Sequence, residues 1–381
     1  MAHRFKTAND VYLGDGALNA SEEKIIKLGK KALIVTGGSM IKQGHINTII
    51  ELLERNGIAY AIYNGIDNEP DDLMINDGLE VYQKEKCNFL IGFGGGSQLD
   101  GAKAIAILVN GKGKLSDYMG KNINHKIPPL VMIPSTSGTG SETTPFTIIN
   151  DNETNIKMLL KGDSLWPNVA IVEPSFSYSM PKKVTASSGL DALTHAIEAY
   201  TSRRAFAQSD MFALSAIKRI FKYLLLALDE DFAAREEMAI ASYEAGVSFA
   251  NSSVTIIHGM SRPIGALFHV PHGLSNAMLL PTCLDYVKDG TYERFADMAR
   301  AIGIDEEDDI RASELFVEEV IKLCIKCDVP SLAEYGIDKD KYLNSIAKMA
   351  KDAMASGSPS NTIKEINEKD IIKLYHDVYG A

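Results

Sequence analysis

Apolar residues run along the chain in two rhythms. In the first half, short β-rich runs alternate with stretches of helical period. Lys31-Ala32-Leu33-Ile34-Val35-Thr36 reads as a buried strand closed by Gly37-Gly38, and a helix pattern runs through Ile46-Asn47-Thr48-Ile49-Ile50-Glu51-Leu52-Leu53. Ala59-Tyr60-Ala61-Ile62-Tyr63 and Cys87-Asn88-Phe89-Leu90-Ile91-Gly92-Phe93 read as further strands. A glycine turn, a helix from about Leu99 to Val109 and the strand Leu130-Val131-Met132-Ile133-Pro134 follow. Strands alternating with helices predict a parallel sheet covered by helices. From about Val184 onward long helical periods take over, at 189–200, 208–227, 233–250, 292–302, 312–327 and 340–355. The change falls near Met180-Pro181, beyond a Ser/Tyr-rich turn region. The expected organisation is an α/β domain with a parallel sheet over residues 1–181 and an all-α domain over 182–381, since 381 residues exceed one ordinary core.

Composition narrows the partners. A hydrophobic content of 45% and a charged content of 23% are those of a globular protein. A net charge of −11 argues against nucleic acid or an anionic membrane as partner. No run approaches the roughly 20 apolar residues that span a bilayer, and the first residues lack an apolar signal core, so a cytoplasmic location is expected. Cys324 and Cys327 form a lone C-x-x-C without the second pair that a structural zinc site wants, and they read as buried helical residues. The acidic run Asp305-Glu306-Glu307-Asp308-Asp309 reads as a solvated loop or a helix start.

Candidate chemistry sits in three places. Asp191 and His195 are four residues apart in a helical stretch, which puts a carboxylate and an imidazole on one face. His258 and His272 follow in a histidine-rich segment with Gly259, Pro271 and Gly273 beside them. One oxygen and three nitrogen donors suit a divalent first-row metal such as Fe²⁺ or Zn²⁺, although this spacing is not unique to metal sites. Gly94-Gly95-Gly96-Ser97, between a strand and a helix, offers backbone N–H groups to a phosphate. It does not fit G-x-G-x-x-G, and a glycine turn without a ligand is the alternative. Pro134-Ser135-Thr136-Ser137-Gly138-Thr139-Gly140-Ser141-Glu142 is a second polar turn after a strand, suited to phosphate, ribose or amide groups or serving as a plain loop.

These segments, with Pro167-Asn168-Val169-Ala170-Ile171-Val172-Glu173-Pro174, Gly189-Leu190-Asp191-Ala192-Leu193-Thr194-His195-Ala196-Ile197-Glu198 and Pro271-His272-Gly273 through Asn276, resemble the iron-containing (group III) alcohol dehydrogenases over essentially the whole chain. The resemblance implies an N-terminal dinucleotide-binding α/β domain and a helical metal-binding domain. It implies Asp191, His195, His258 and His272 as ligands of Fe²⁺, with Zn²⁺ accepted by the same donors. Pyrophosphate contacts would fall on Gly95, Gly96 and Ser97 with Asp100 nearby, and other nucleotide contacts on Thr136, Ser137, Thr139 and Lys157. The implied reaction moves hydride between a nicotinamide and a small primary alcohol or its aldehyde, the metal acting as a Lewis acid. A homodimer or larger assembly is implied as well.

Three departures from the family pattern matter. Gly37 stands where NAD-using members carry an Asp for the adenosine ribose. With Ser39 and Lys42 beside it, this predicts that NADP(H) is accepted and favoured over NAD(H). Arg262 stands where many relatives have a histidine near the metal, and a guanidinium cannot be a general base. Proton relay then falls to the cofactor ribose, water or His269, while Arg262 either recognises an anionic group on the substrate or forms an ion pair behind the ligands. Asn251-Ser252-Ser253-Val254-Thr255-Ile256-Ile257 replaces a more glycine-rich stretch, with Phe249 and Phe146 as pocket or core residues. The rival readings are a dehydrogenase of a carboxylate-bearing hydroxyacid, a lyase resembling dehydroquinate synthase, and a non-catalytic nucleotide or metal sensor.

Overall fold

A computed structural model describes residues 2–154 and 156–380. The chain divides into two compact units, Lys6–Ser179 and the part from Met180 onward, the latter joined by the N-terminal segment ending at Phe5.

The first unit is built on eight strands: β1 (Asp10–Leu13), β2 (Lys31–Thr36), β3 (Ala59–Tyr63), β4 (Phe89–Gly94), β5 (Leu130–Pro134), β6 (Phe146–Asp151), β7 (Ile156–Lys161) and β8 (Val169–Val172). Six of them form a sheet in the order β1-β8-β5-β4-β2-β3, and every pair in it is parallel. β6 and β7 form a separate antiparallel pair. The central strands β2, β4 and β5 read as continuous apolar runs because both sheet faces are covered there, while the edge strands β1 and β3 keep partly exposed residues. Leu33 and Val35 of β2 join the core on one face, and Ala32 and Ile34 join the core on the other. Chain order reverses between β2 and β4, since β3 lies outward of β2 while β5 and β8 follow β4 in the opposite direction. In parallel sheets such a switch point is where ligands bind, beyond the carboxyl ends of the strands. Register sets those ends side by side: Thr36 pairs with Phe93, and Gly94 with Pro134.

The second unit is helical and holds a core of its own around Leu190, Leu193, Ile197, Ile217, Met260, Leu280, Phe295 and Phe316. Six of its long helices lie over the segments whose apolar period predicts them: Lys182–Tyr200, Ala207–Leu228, Phe232–Ser252, Tyr292–Ala301, Asp309–Lys326 and Lys339–Ala355. Asp308 caps the fifth by accepting from Arg311 N at 2.8 Å, which makes the acidic run a helix start. The helices Ile256–Phe268 and His272–Val287 escape a periodicity reading, because each contains a proline and is buried around most of its circumference. The four cysteines are buried and free. No helix among the described residues is long and apolar enough to cross a membrane.

Candidate functional site

The nucleotide-side loops leave β2, β4 and β5 at adjacent ends. The helix Gly96–Asn110 starts directly after β4, three residues earlier than its apolar period indicates. Its N-cap Gly95 brings no side-chain hydrogen bond, so the first-turn N–H groups face an anion unobstructed. A Cβ on Gly96 would meet Thr139 Cγ2 at 2.8 Å, so the glycine loop and the Ser/Thr loop touch only because this position lacks a side chain. Thr136 Oγ1 is buried with no hydrogen-bond partner, a polar atom that a bound ribose or amide would satisfy. Ser137 is buried in the same loop and Ser97 half-buried at the helix start, so the residues present fit a dinucleotide.

Asp100 faces inward rather than toward the loops' open side. Its carboxylate accepts from Ser141 Oγ (2.6 Å) and Ile148 N (2.8 Å). One turn on, the fully buried Lys103 donates to Ser141 O, Ser141 Oγ, Thr144 Oγ1 and Phe146 O at 2.6–3.1 Å. Burial pulls the Lys103 ammonium down to about 8 and pushes the Glu142 carboxyl up to about 7. Lys157 lies on β7 and pairs with Glu69 at 2.7 Å.

Gly37 has an ordinary extended backbone (φ −110°). Its lack of a side chain has a local cause: a Cβ there would meet Gln98 Nε2 at 2.9 Å, and Gln98 is held by donating to Ile66 O at 2.6 Å. The loop after β3 also brings Asp67, whose Oδ1 accepts from Gly38 N at 3.0 Å. A carboxylate therefore stands beside this turn although Gly37 supplies none. Ser39 and Lys42 are exposed.

In the helical unit one ligand atom each from Asp191, His195, His258 and His272 lies within 4.8 Å of the others. Asp191, His195 and Glu198 lie at i, i+4 and i+7 of the Lys182–Tyr200 helix, on one face. Gly273 lets the His272–Val287 helix press against it, since a Cβ there would fall 2.5 Å from Ser187 O and 3.1 Å from Asp191 Cβ. Asp191, His195 and His258 are buried, whereas the His272 side chain keeps 35% of its surface exposed, so the cluster opens on that side. The His195 ring is stacked between Phe249 (centroids 4.1 Å apart) and His258 (4.4 Å).

Two residues without an assigned role in the sequence reading complete the arrangement. Glu198 Oε2 lies 2.5 Å from His258 Nδ1, which turns the Nε2 lone pair toward Asp191 Oδ1, 3.7 Å away. The other oxygen of Glu198 accepts from Thr255 Oγ1 (2.8 Å) and Ile257 N (2.6 Å), capping the Ile256–Phe268 helix from outside it. Asn276 Nδ2 donates to Asp191 Oδ1 (2.7 Å) and sits 3.1 Å from His258 Nε2 and 3.3 Å from His272 Nε2. Lone pairs of a carboxylate and two imidazoles thus converge on one electropositive group. Burial, with the Arg262 charge adding to it, holds His258 well below its usual value and therefore neutral, as a metal ligand must be. Burial pushes Asp191 up to about 7 while the Asn276 hydrogen bond opposes it. One carboxylate and three neutral imidazoles in contact range fit Fe²⁺ or Zn²⁺.

Arg262 is one helical turn beyond His258, and its Nη1 donates to Ser358 Oγ at 3.1 Å. His269 ends the helix with φ 55° and is exposed, and its carbonyl accepts from Tyr335 Oη at 3.5 Å. Among the described residues its side chain makes no hydrogen bond to the four ligands.

Two family models match in tandem: "Iron-containing alcohol dehydrogenase" over residues 8–174 and "Fe-containing alcohol dehydrogenase family, C-terminal" over 185–379. The choline dehydrogenase of Bacillus subtilis (strain 168) is 35% identical, covering 98% of this chain and 94% of that protein. The NADPH-dependent butanol dehydrogenase of Clostridium saccharobutylicum is 33% identical, covering 99% and 98%. A crystal structure of 1,3-propanediol oxidoreductase superposes with a TM-score of 0.95 at 32% identity over 99% of this chain and 100% of that one. Convergent donor atoms in the helical unit and glycine and hydroxyl loops at a parallel-sheet switch point thus accompany a likeness that runs the length of the chain, which belongs to the iron-containing alcohol dehydrogenase family of metal-dependent alcohol/aldehyde oxidoreductases.

Proposed function

We propose that Asp191, His195, His258 and His272 hold a divalent ion, Fe²⁺ with Zn²⁺ as a substitute, and that the chain interconverts a small primary alcohol and its aldehyde with NADP(H) favoured over NAD(H). The convergence of four ligand atoms within 4.8 Å carries the reading. When bound, the ion supplies Lewis-acid polarisation of the substrate oxygen and the nicotinamide supplies or takes up hydride. The chain's own residues do the rest. Glu198 fixes the tautomer and plane of His258, Phe249 fixes the plane of His195, and the half-exposed His272 marks the side from which substrate arrives. Gly95, Gly96 and the first turn after them take the pyrophosphate, with Ser97, Thr136, Ser137 and Thr139 supplying hydroxyls.

The NADP(H) preference rests on the exposed Ser39 and Lys42 beside Gly37. Asp67 works against it, although its hydrogen bond to Gly38 N draws the carboxylate toward the turn backbone. The choline activity named for the Bacillus relative is not carried over, because Arg262 sets a positive charge one helical turn from His258, which disfavours a cationic substrate.

The deciding experiment is an anaerobic assay of Fe²⁺- and Zn²⁺-loaded protein against an aldehyde panel, with NADH and NADPH in parallel. Metal-dependent turnover with a higher kcat/KM for NADPH is expected, and Asp67→Ser should raise that ratio further. Absence of turnover with every aldehyde overturns the reaction; a kcat/KM for NADH at or above that for NADPH overturns the cofactor preference alone.

A further inference from the structure

Arg262 has a full charge and little to satisfy it. A guanidinium offers five N–H donors, and here one hydrogen bond is made, Nη1 to Ser358 Oγ at 3.1 Å. Nε is buried with no partner. Among the described residues no carboxylate pairs with it: Glu198 acts on it only through space, while burial works against its charge. Buried cations are ordinarily paired, because an unpaired one gives up its hydration with nothing to replace it. The residue as a whole keeps some exposure although Nε has none, so part of the fork lies where a ligand can reach it.

Its position says which ligand. Arg262 and His258 occupy positions i+4 and i of the Ile256–Phe268 helix, so both point from one face, and the Arg262 charge is felt at His258 itself. Asp191 and Glu198 contribute two negative charges there and Arg262 one positive. A divalent ion held by the ligands leaves a surplus of one positive charge in a buried setting, which an anionic ligand removes. The guanidinium fork is the donor geometry that carboxylates and sulfonates accept bidentately. We propose that Arg262 recognises an anionic group on the substrate, so that the preferred substrates are short aldehydes or alcohols bearing a carboxylate or sulfonate a few bonds from the reacting carbon. This rests on reading the four-ligand cluster as the place where the reacting oxygen is held.

The test pairs anionic with neutral aldehydes on metal-loaded protein: succinic semialdehyde against pentanal, and sulfoacetaldehyde against propanal. Calorimetric binding of unreactive succinate and ethanesulfonate runs alongside. The wild type should favour the anionic member of at least one pair by about 10-fold or more in kcat/KM, and the favoured pair distinguishes carboxylate from sulfonate. Arg262→Met should lower that ratio by about 10- to 100-fold, chiefly through KM, and abolish calorimetric binding. Arg262→Lys keeps the charge but loses the fork, and an intermediate ratio is expected; it carries the test if the methionine variant takes up no metal. Equal use of anionic and neutral aldehydes by the wild type, or an unchanged ratio in Arg262→Met, overturns the proposal. Anion binding that vanishes in Arg262→Met, with no aldehyde turned over, upholds the anion site and overturns the aldehyde reading, so the two fail separately.

Discussion

Lys103 and Arg262 are both cations withdrawn from water, one behind the nucleotide loops and the other beside the converging metal ligands, and their surroundings differ. The three N–H bonds of Lys103 meet four acceptors, two of them backbone carbonyls, with Asp100 and Glu142 as nearby countercharges. Nothing is left over for a ligand, and the network ties the Gly96–Asn110 helix to the segment leading into β6. Among the described residues Arg262 uses one donor and has no paired carboxylate. A completed polar network holds loops in place, and an incomplete one leaves donors for a molecule that arrives later. Buried charge by itself therefore does not mark a binding residue; unused hydrogen-bonding capacity does.

The largest effect that would break this comparison is expected at Lys103. Lys103→Met removes the ammonium, takes one donor each from Ser141 O and Phe146 O, and leaves the buried Asp100 without its nearby cation, so a loss of about 3–5 kcal/mol is expected. Denaturant unfolding measures it, and the KM for the cofactor should rise while metal content stays unchanged. A loss below about 1 kcal/mol would show that the closed network is ornamental. Next in size is Glu198→Gln, in which the His258 ring keeps a neighbour but loses its charged acceptor. Metal affinity should fall by about 10- to 100-fold, read by competition with a chromophoric chelator. Unchanged affinity would mean that the ring is held by packing between His195 and its other neighbours alone.

The same contrast explains which features are legible in the sequence. β2, β3, β4 and β5 announce themselves because each is a short apolar run bounded by turn residues, whereas β1 and β8, four residues each, do not; Asp191 and His195 are legible because helical spacing alone brings them to one face. β6 is less legible, since Ile148 and Ile149 are adjacent and break the alternation of a half-buried strand. The helix at 272–287 lacks an amphipathic stripe because burial surrounds it, and the pattern of that at 256–268 is interrupted by Pro263. Glu198, Asn276 and Asp67 gain their roles from partners 60, 85 and 29 residues away. No local pattern encodes such pairings, although Glu198 does lie three residues beyond His195 on the ligand face.

Glu142 is the loose end of the otherwise closed network, with Oε2 buried and without a partner. Its pKa is raised from the ordinary 4.5 to about 7 by burial. The folded state therefore holds this proton more tightly than the unfolded chain does. The group's contribution is fully present below about pH 4.5 and is lost as pH rises through about 7. Glu142→Gln removes that slope, so the decline in stability between those pH values should become shallower, by at most about 3 kcal/mol and by less once Lys103 has lost a countercharge. Thermal melts across this window check it. An unaltered profile would place the carboxylate in contact with water.

The smallest expected effect concerns backbone strain beside the open cluster. Ser253 has φ 107° and ψ 162°, a region that side-chain-bearing residues rarely occupy, and it lies between the Phe232–Ser252 helix and Thr255, which bonds Glu198. The conformation is held by Asn361, whose Nδ2 donates to Ser253 Oγ (3.0 Å) and Val254 O (3.1 Å). Ser253→Gly relieves the side-chain clash, loses one of those hydrogen bonds and gives the unfolded chain more freedom. The three contributions leave a net gain of about 0.5–1 kcal/mol, or roughly 1–4 °C in Tm. Metal affinity should not change, because Asn361 still holds Val254 O and Glu198 still caps the next helix. A lower Tm accompanied by weaker metal binding would mean that the Ser253 hydroxyl, rather than the backbone turn, positions the helix carrying His258 and Arg262.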